Sequence, residues 1–401
     1  MAFSVHIREL VRKKVDAVAS EMKAWEIANA IPDDEAKIIK GSIQHFGHTA
    51  SVDSFVVAGV DGSGDYPSFT YADSCVYIAS AAGTAFRTSV VHGLEEIPLL
   101  PDPVIDIVWL PGNRTEAAVR WDAAFEELTG VSVGDTIDQS DYRGLKRYLT
   151  GDKSSVTEIA SALIRPAGSD TSNVAIQLRS TAELGAALRM ITGTVPCRYV
   201  INDTTFSLPM ITRKELSLFY EHVKRLCCVE ARKRETTFAA LSKSHGFRCM
   251  NLIEGYAREA LGVPDDETAE HWFFRLPIPG VDSWLFTPVE GRVVPPPGAV
   301  TYLFRLHRNT PVMRLDIDRE WWEIRFRGDT TAEMQMFRDL DYCGHDQRAY
   351  GYPYPIKACH DRVRLSEDER RALKNMIMEA AIAKGLPAQI FRDVSMATGH
   401  S

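Results

Sequence analysis

Three carboxylates stand where chemistry could be done: Asp61 in "VAGVDGSG", Glu183 in "STAELGAALRM" and Asp203 in "RYVINDTTF". The apolar runs ahead of Asp61 and Asp203 read as β-strands, so each acid sits at a strand end, while Glu183 falls in the first turn of a predicted helix that Ser180 caps and Gly193 closes. Strand ends of an α/β sheet face one edge, and acids placed there converge even when far apart in sequence. Two or three carboxylates completed by water suit Mg²⁺ or Mn²⁺, hard ions that take oxygen ligands in near-octahedral geometry. Such an ion activates water and offsets the charge that builds on a phosphodiester during in-line displacement. Taken singly, each acid also has an ordinary structural role. Asp-Gly-Ser-Gly is a turn sequence, Glu183 favours a helix N-terminus through the dipole, and Asp203 can cap the loop after it.

A second motif is "GYPYPIKACH", residues 351–360. Proline fixes φ and donates no backbone hydrogen bond, so Tyr352-Pro353-Tyr354-Pro355 is a stiff, extended lead-in. With Pro355 in the first turn of the helix that follows, His360 is held at a fixed distance from Tyr352; the ordinary structural reading of the same segment is a buried turn with a satisfied histidine. Lys243, at the end of the predicted strand "TTFAALSKSH", is either a point charge for a DNA phosphate or a solvated strand-end lysine. Trp321 and Trp322, read as strand residues, are candidates for stacking on unpaired bases. Adjacent strand residues face opposite sides, so at least one of the two belongs to the core.

The elements that must position these groups follow from periodicity. Residues 1–50 read as a helical segment, and strands follow around Val56–Val60, Phe69 and Val76. "PVIDIVWLPG" is a strand and residues 114–128 a helix, after which a polar stretch reaches about residue 175. Residues 91–175 read as an insertion. Beyond the strand of Asp203 come a long helix, the strand of Lys243, and aromatic segments broken by proline between about 271 and 328, which read as an additional β region. Helices at about 331–340 and 366–384 close the chain. The fold class expected is α/β, an RNase H-like mixed sheet flanked by helices.

Composition sets bounds. With 401 residues, 45% hydrophobic and 25% charged, the chain has the make-up of an ordinary globular protein. A net charge of −8 argues against a surface that binds nucleic acid all over, but leaves room for a local basic groove. No apolar run reaches the roughly 18 to 20 residues that span a bilayer. The first residues form an acid-bearing amphipathic helix rather than a signal peptide, so the cytoplasm is the expected location. Seven scattered cysteines without a C-x-x-C pair suggest neither a disulfide framework nor a zinc knuckle. His45 and His48 lack a second half at zinc-site spacing and read as loop residues.

The order of these motifs resembles the NurA nucleases: "VAGVDGSG", a helix with Glu183, "RYVINDTTF", "TTFAALSKSH" and, most specifically, "GYPYPIKACH". The resemblance covers roughly residues 50–90 and 175–385. It implies a metal-dependent deoxyribonuclease that uses Mn²⁺ or Mg²⁺, with Asp61, Glu183, Asp203 and His360 as metal ligands and Tyr352 as a further catalytic residue beside His360. Glu116 competes with Glu183 for the second acid. The resemblance further implies a homodimer that works on DNA ends with a HerA-type hexameric ATPase. Where the family usually has Asp-Gly-Ser, this chain has Asp203-Thr204-Thr205. That departure supports an alternative, a non-catalytic RNase H-like scaffold that binds and regulates the ATPase. An actin-like ATPase built on "DGSG" would need a second phosphate-binding glycine motif, which the sequence lacks.

Overall fold

The apolar runs of the sequence pair into one eleven-stranded sheet. It is seen in a computed structural model that describes residues 5–28, 31–48, 53–64, 67–71, 74–98, 100–141, 171–207, 219–243, 250–287 and 295–388. Its centre is three parallel strands, β2 (Val56–Ser63), β7 (Tyr199–Asn202) and β8 (Thr237–Ser242). All three are buried along their whole length, as parallel strands covered on both faces must be, which is why they read as continuous apolar runs.

On one side of β2 lies the sixteen-residue β4 (Ser74–Ser89), antiparallel to it and long enough to pair also with β3 (Pro67–Tyr71), β5 (Gly93–Glu96) and β6 (Val104–Leu110). The sequence β6-β4-β2-β7-β8, antiparallel then parallel, is the RNase H-like arrangement expected. Beyond β8 the sheet continues through β11 (Met313–Asp318), β10 (Ala299–Arg305), β9 (Trp272–Arg275) and the short β1 (Gln44–His45). The additional β region is therefore an extension of the same sheet.

Alternation along the central strands sorts side chains between two cores. Val56, Ala58, Val60, Val200, Phe238 and Ala240 pack on one face with α3 (Arg114–Thr129), α5 (Thr171–Thr192) and α6 (Phe219–Lys233). Val57, Tyr199, Ile201, Ala239 and Leu241 pack on the other with α8 (Arg319–Arg325), α9 (Thr330–Gly344) and α10 (Tyr354–Val363). The remaining helices are α1 (Val5–Ala28), α2 (Asp33–Ser42), α4 (Val133–Gln139), α7 (Met250–Leu261) and α11 (Glu367–Ala383). Among the described residues, no helix is long and apolar enough to cross a membrane.

Residues 91–175 contain β5, β6, α3 and α4; β6 pairs with β4 over seven positions, and the polar part at 142–170 lies outside the described residues. Trp321 and Trp322 depart from the expected strand. The Asp318 side chain caps a helix start, accepting from Trp321 N, and both indoles lie in α8. Both are buried, with Trp321 Nε1 donating to Thr237 Oγ1 at 2.9 Å and Trp322 Nε1 to Glu333 Oε1 at 2.9 Å. Neither is offered to a nucleic-acid base. The N-cap overrode the strand preference of the aromatic pair.

Candidate active site

Asp61 and Asp203 meet because two parallel strands are in register. Val60 pairs with Asn202, so the next residues, Asp61 and Asp203, are lateral neighbours on one face, and Asp203 N donates to Val60 O at 3.1 Å. Asp61 is fully buried, and its Oδ1 accepts from Gly62 N at 2.8 Å. Alternation puts Asp61 on the face that carries Val57, the face that α10 covers.

Gly59 is what lets α10 come close. A Cβ there would overlap the Pro355 carbonyl and reach within 2.5 Å of Ile356 N, so only glycine admits this crossing. Two further contacts fix it: Thr84 Oγ1 donates to Pro355 O at 2.7 Å and Cys359 Sγ to Ala82 O at 2.9 Å. Pro355 lies in the first turn, as the sequence suggested. The helix then delivers His360, whose Nδ1 stands 2.7 Å from Asp61 Oδ2. One ligand atom from each of Asp61, Asp203 and His360 falls within 4.8 Å of the other two.

Glu183 arrives from the opposite face. It projects from α5 across Gly62, where a Cβ would meet Glu183 Cγ at 2.7 Å. That approach keeps it beside the group of three rather than inside it. Arg179, one turn earlier on α5, joins the acids: its Nε donates to Glu183 Oε1 at 2.7 Å and its Nη2 lies 3.5 Å from Asp61 Oδ1. Arg179 escaped the sequence reading because an Arg–Glu pair at i,i+4 is an everyday surface feature of helices. Burial pushes the Glu183 carboxyl up to about 7; Arg179 opposes the shift and Asp61 adds to it. Glu116, the competing acid, lies in the first turn of α3, an element that packs against β6 and α5.

Lys243 and Tyr352 complete the surroundings of Asp203. The ammonium lies 3.6 Å from Asp203 Oδ2 and 4.6 Å from the centre of the Tyr352 ring, with its side chain half exposed. Burial raises the Asp203 carboxyl above its ordinary value, Lys243 working against the shift and Asp61 with it. The Tyr352 hydroxyl is buried without a hydrogen bond of good geometry, and burial together with the charge of Asp203 holds it protonated well above its ordinary range. The structure thus brings all six sequence-predicted residues, Asp61, Glu183, Asp203, Lys243, Tyr352 and His360, to one end of the central strands.

Two buried carboxylates beside a third, against one arginine and one half-exposed lysine, make a site short of positive charge. Like charges buried together are costly unless a cation joins them. Two carboxylates and an imidazole are a donor set for a divalent ion.

No family model matches the sequence, and no curated protein matches it either. Solved structures do. The crystal structure of the NurA nuclease from Sulfolobus solfataricus aligns at a TM-score of 0.50 and 12% identity, over 96% of this chain and 99% of that one. A NurA structure bound to dAMP and manganese aligns at 0.40 and 12% identity, over 96% and 98%. The chain has the NurA fold, and the likeness extends over nearly its whole length, well beyond the segments legible in sequence.

Proposed function

We propose that this chain is a metal-dependent deoxyribonuclease that hydrolyses phosphodiester bonds at DNA ends. The observation that carries the reading is the convergence of Asp61, Asp203 and His360, from two strands and a helix far apart in sequence, on one point of a NurA-type fold. The same convergence weighs against the scaffold alternative, since a scaffold whose metal site had decayed would have no need to keep these three groups together. The substitution of Thr204-Thr205 for Gly-Ser leaves Asp203 in register with Asp61.

Asp61, Asp203 and His360 would hold the divalent ion, Mn²⁺ or Mg²⁺, with the imidazole tilting the donor set toward Mn²⁺. When bound, the ion supplies water of lowered pKa and neutralises charge on the scissile phosphate. The chain's own groups do the rest. Glu183, with its carboxyl near 7, can accept or return a proton at neutral pH. Tyr352 keeps its proton and so remains a donor that positions water or the scissile group. Lys243 offers a point charge to a phosphate flanking the cut. Arg179 holds Glu183 and leans on Asp61, fixing the acids before substrate arrives.

The partners belong to the same reading. We assign to the chain a homodimeric state, a cytoplasmic setting and a HerA-type hexameric ATPase that feeds duplex ends to the nuclease. The net charge of −8 supports it: a nuclease supplied by a translocase needs only a small basic channel. The test is degradation of end-labelled linear DNA in Mn²⁺, Mg²⁺ or EDTA, with and without the ATPase. Cleavage that needs the ion supports the proposal. Absence of cleavage in every condition, with folded protein and bound partner, would return the scaffold alternative.

A further inference from the structure

A second group of metal-ligating side chains lies outside the site described. His48, just past β1, meets His271, the residue before β9, and Asp341 and His345, one turn apart near the end of α9. Asp341 is fully buried and sits at the centre. Its Oδ2 is 3.1 Å from His48 Nδ1, and its Oδ1 is 3.1 Å from His345 Nδ1 and 3.4 Å from His271 Nε2. One ligand atom from each of the four residues lies within 4.8 Å of all the others. His345 Nδ1 also contacts the Asp341 carbonyl at 2.9 Å, fixing its ring.

We propose that His48, His271, Asp341 and His345 form a structural Zn²⁺ site that ties the N-terminal strand to β9 and α9. Ligand number carries the assignment: three imidazoles and one carboxylate make four N/O donors, which closes a tetrahedral zinc site and leaves no open position of the kind a catalytic zinc keeps. At Zn–N distances of about 2.0–2.1 Å, tetrahedral ligand atoms lie roughly 3.3 Å apart. The 3.4 Å between His271 Nε2 and Asp341 Oδ1 matches that spacing.

An independent observation points the same way. His271 Nε2 is buried, makes no hydrogen bond and is aimed into the cluster. The chain also holds His271 at φ 57°, a left-handed conformation rare outside glycine, while pairing between β1 and β9 carries the segment leading to His48 alongside it. A cavity of about 490 Å³, lined in part by His48 and His345, gives an ion a way in.

The site has a mechanical consequence. His48 precedes β2, which carries Asp61, and His345 precedes the Tyr-Pro segment and α10, which carry Tyr352 and His360. An ion bound there would brace both chain segments that run toward the candidate active site. The inference does not depend on nuclease activity.

The test uses the full chain and the metals themselves. The parent and Asp61→Asn are dialysed against metal-free buffer and assayed for zinc content, then exchanged with Co²⁺ and followed by visible absorption. His48→Gln and His345→Gln are carried through the same protocol, with circular dichroism to verify folding. The His48 side chain is 47% exposed, so the first variant is chosen to keep the fold. The expected result is one tightly held Zn²⁺ per chain in the parent and in Asp61→Asn, the intense bands of tetrahedral Co²⁺, and loss of both in folded His48→Gln. Parent protein that retains no zinc and gives no tetrahedral Co²⁺ spectrum overturns the proposal, as does folded His48→Gln and His345→Gln binding the ion as the parent does.

Discussion

The two ligand clusters differ in how the chain assembles them. Asp61, near the end of the buried β2, and Asp203, just past the four-residue β7, are register neighbours, and His360 stands on a helix aimed by two prolines. The four residues of the second cluster come from the loop after a two-residue strand, a left-handed position before another, and the last turns of a helix. The first groups three candidate ligands with a carboxyl near 7 and a protonated tyrosine beside them, which would leave work for an ion to do. The second gathers three imidazoles around one buried carboxylate, a closed set that suits holding rather than reacting.

The comparison breaks most sharply at Asp61. Asp61→Asn keeps the size of the side chain but removes a charge and one of the two acceptor oxygens; cleavage should fall by roughly a thousandfold, about 4 kcal/mol of barrier. A single-turnover assay reads this, and the zinc content of the second cluster should stay as in the parent. Next comes Tyr352→Phe, which separates function from stability. Its hydroxyl is buried without a good hydrogen bond, so losing it should leave thermal stability unchanged or slightly higher. Cleavage should nonetheless drop by about a hundredfold, the scale of a lost proton donor or positioning group. Equal losses of melting temperature and activity would mark Tyr352 as structural.

Gly59→Ala tests whether α10 is a positioning device. The new methyl has backbone in its way, so the variant should be destabilised by roughly 1–3 kcal/mol in denaturant titrations and cleave poorly even when folded. Glu183 gives a pH signature. With its folded carboxyl raised from 4.5 to about 7, protonation favours the folded state, and that contribution is lost as pH rises from near 4.5 through 7. Metal-free protein should therefore lose up to about 3 kcal/mol of stability across this window, and Glu183→Gln should flatten that part of the profile. The smallest effect is expected at Lys243. Lys243→Ala should weaken DNA binding alike for all sequences and lower the salt-dependence slope by about 1.

How far the sequence carried the account follows from the same contrast. The acid-bearing strands were legible because full burial makes them continuous apolar runs that end in polar residues, and the Tyr-Pro motif because proline has one conformation to offer. Glu183 was expected in the first turn of a helix capped by Ser180, whereas α5 begins at Thr171 and carries both residues in its interior, and the approach of Glu183 from the opposite face depends on the missing side chain of Gly62. Trp321 and Trp322 were misplaced on a strand because a single capping aspartate, Asp318, decided the local structure. His48 was read as a loop residue because zinc-site spacing is a local signal. Its partners lie more than two hundred positions downstream, joined to it only by sheet pairing and helix docking.

The most direct measurement is cleavage of end-labelled linear DNA in Mn²⁺ by the parent, Asp61→Ala and His360→Ala, all verified as folded and supplied with the ATPase partner. The account predicts EDTA-sensitive cleavage by the parent and its loss in both variants. Cleavage by both variants at the parent's rate would contradict it.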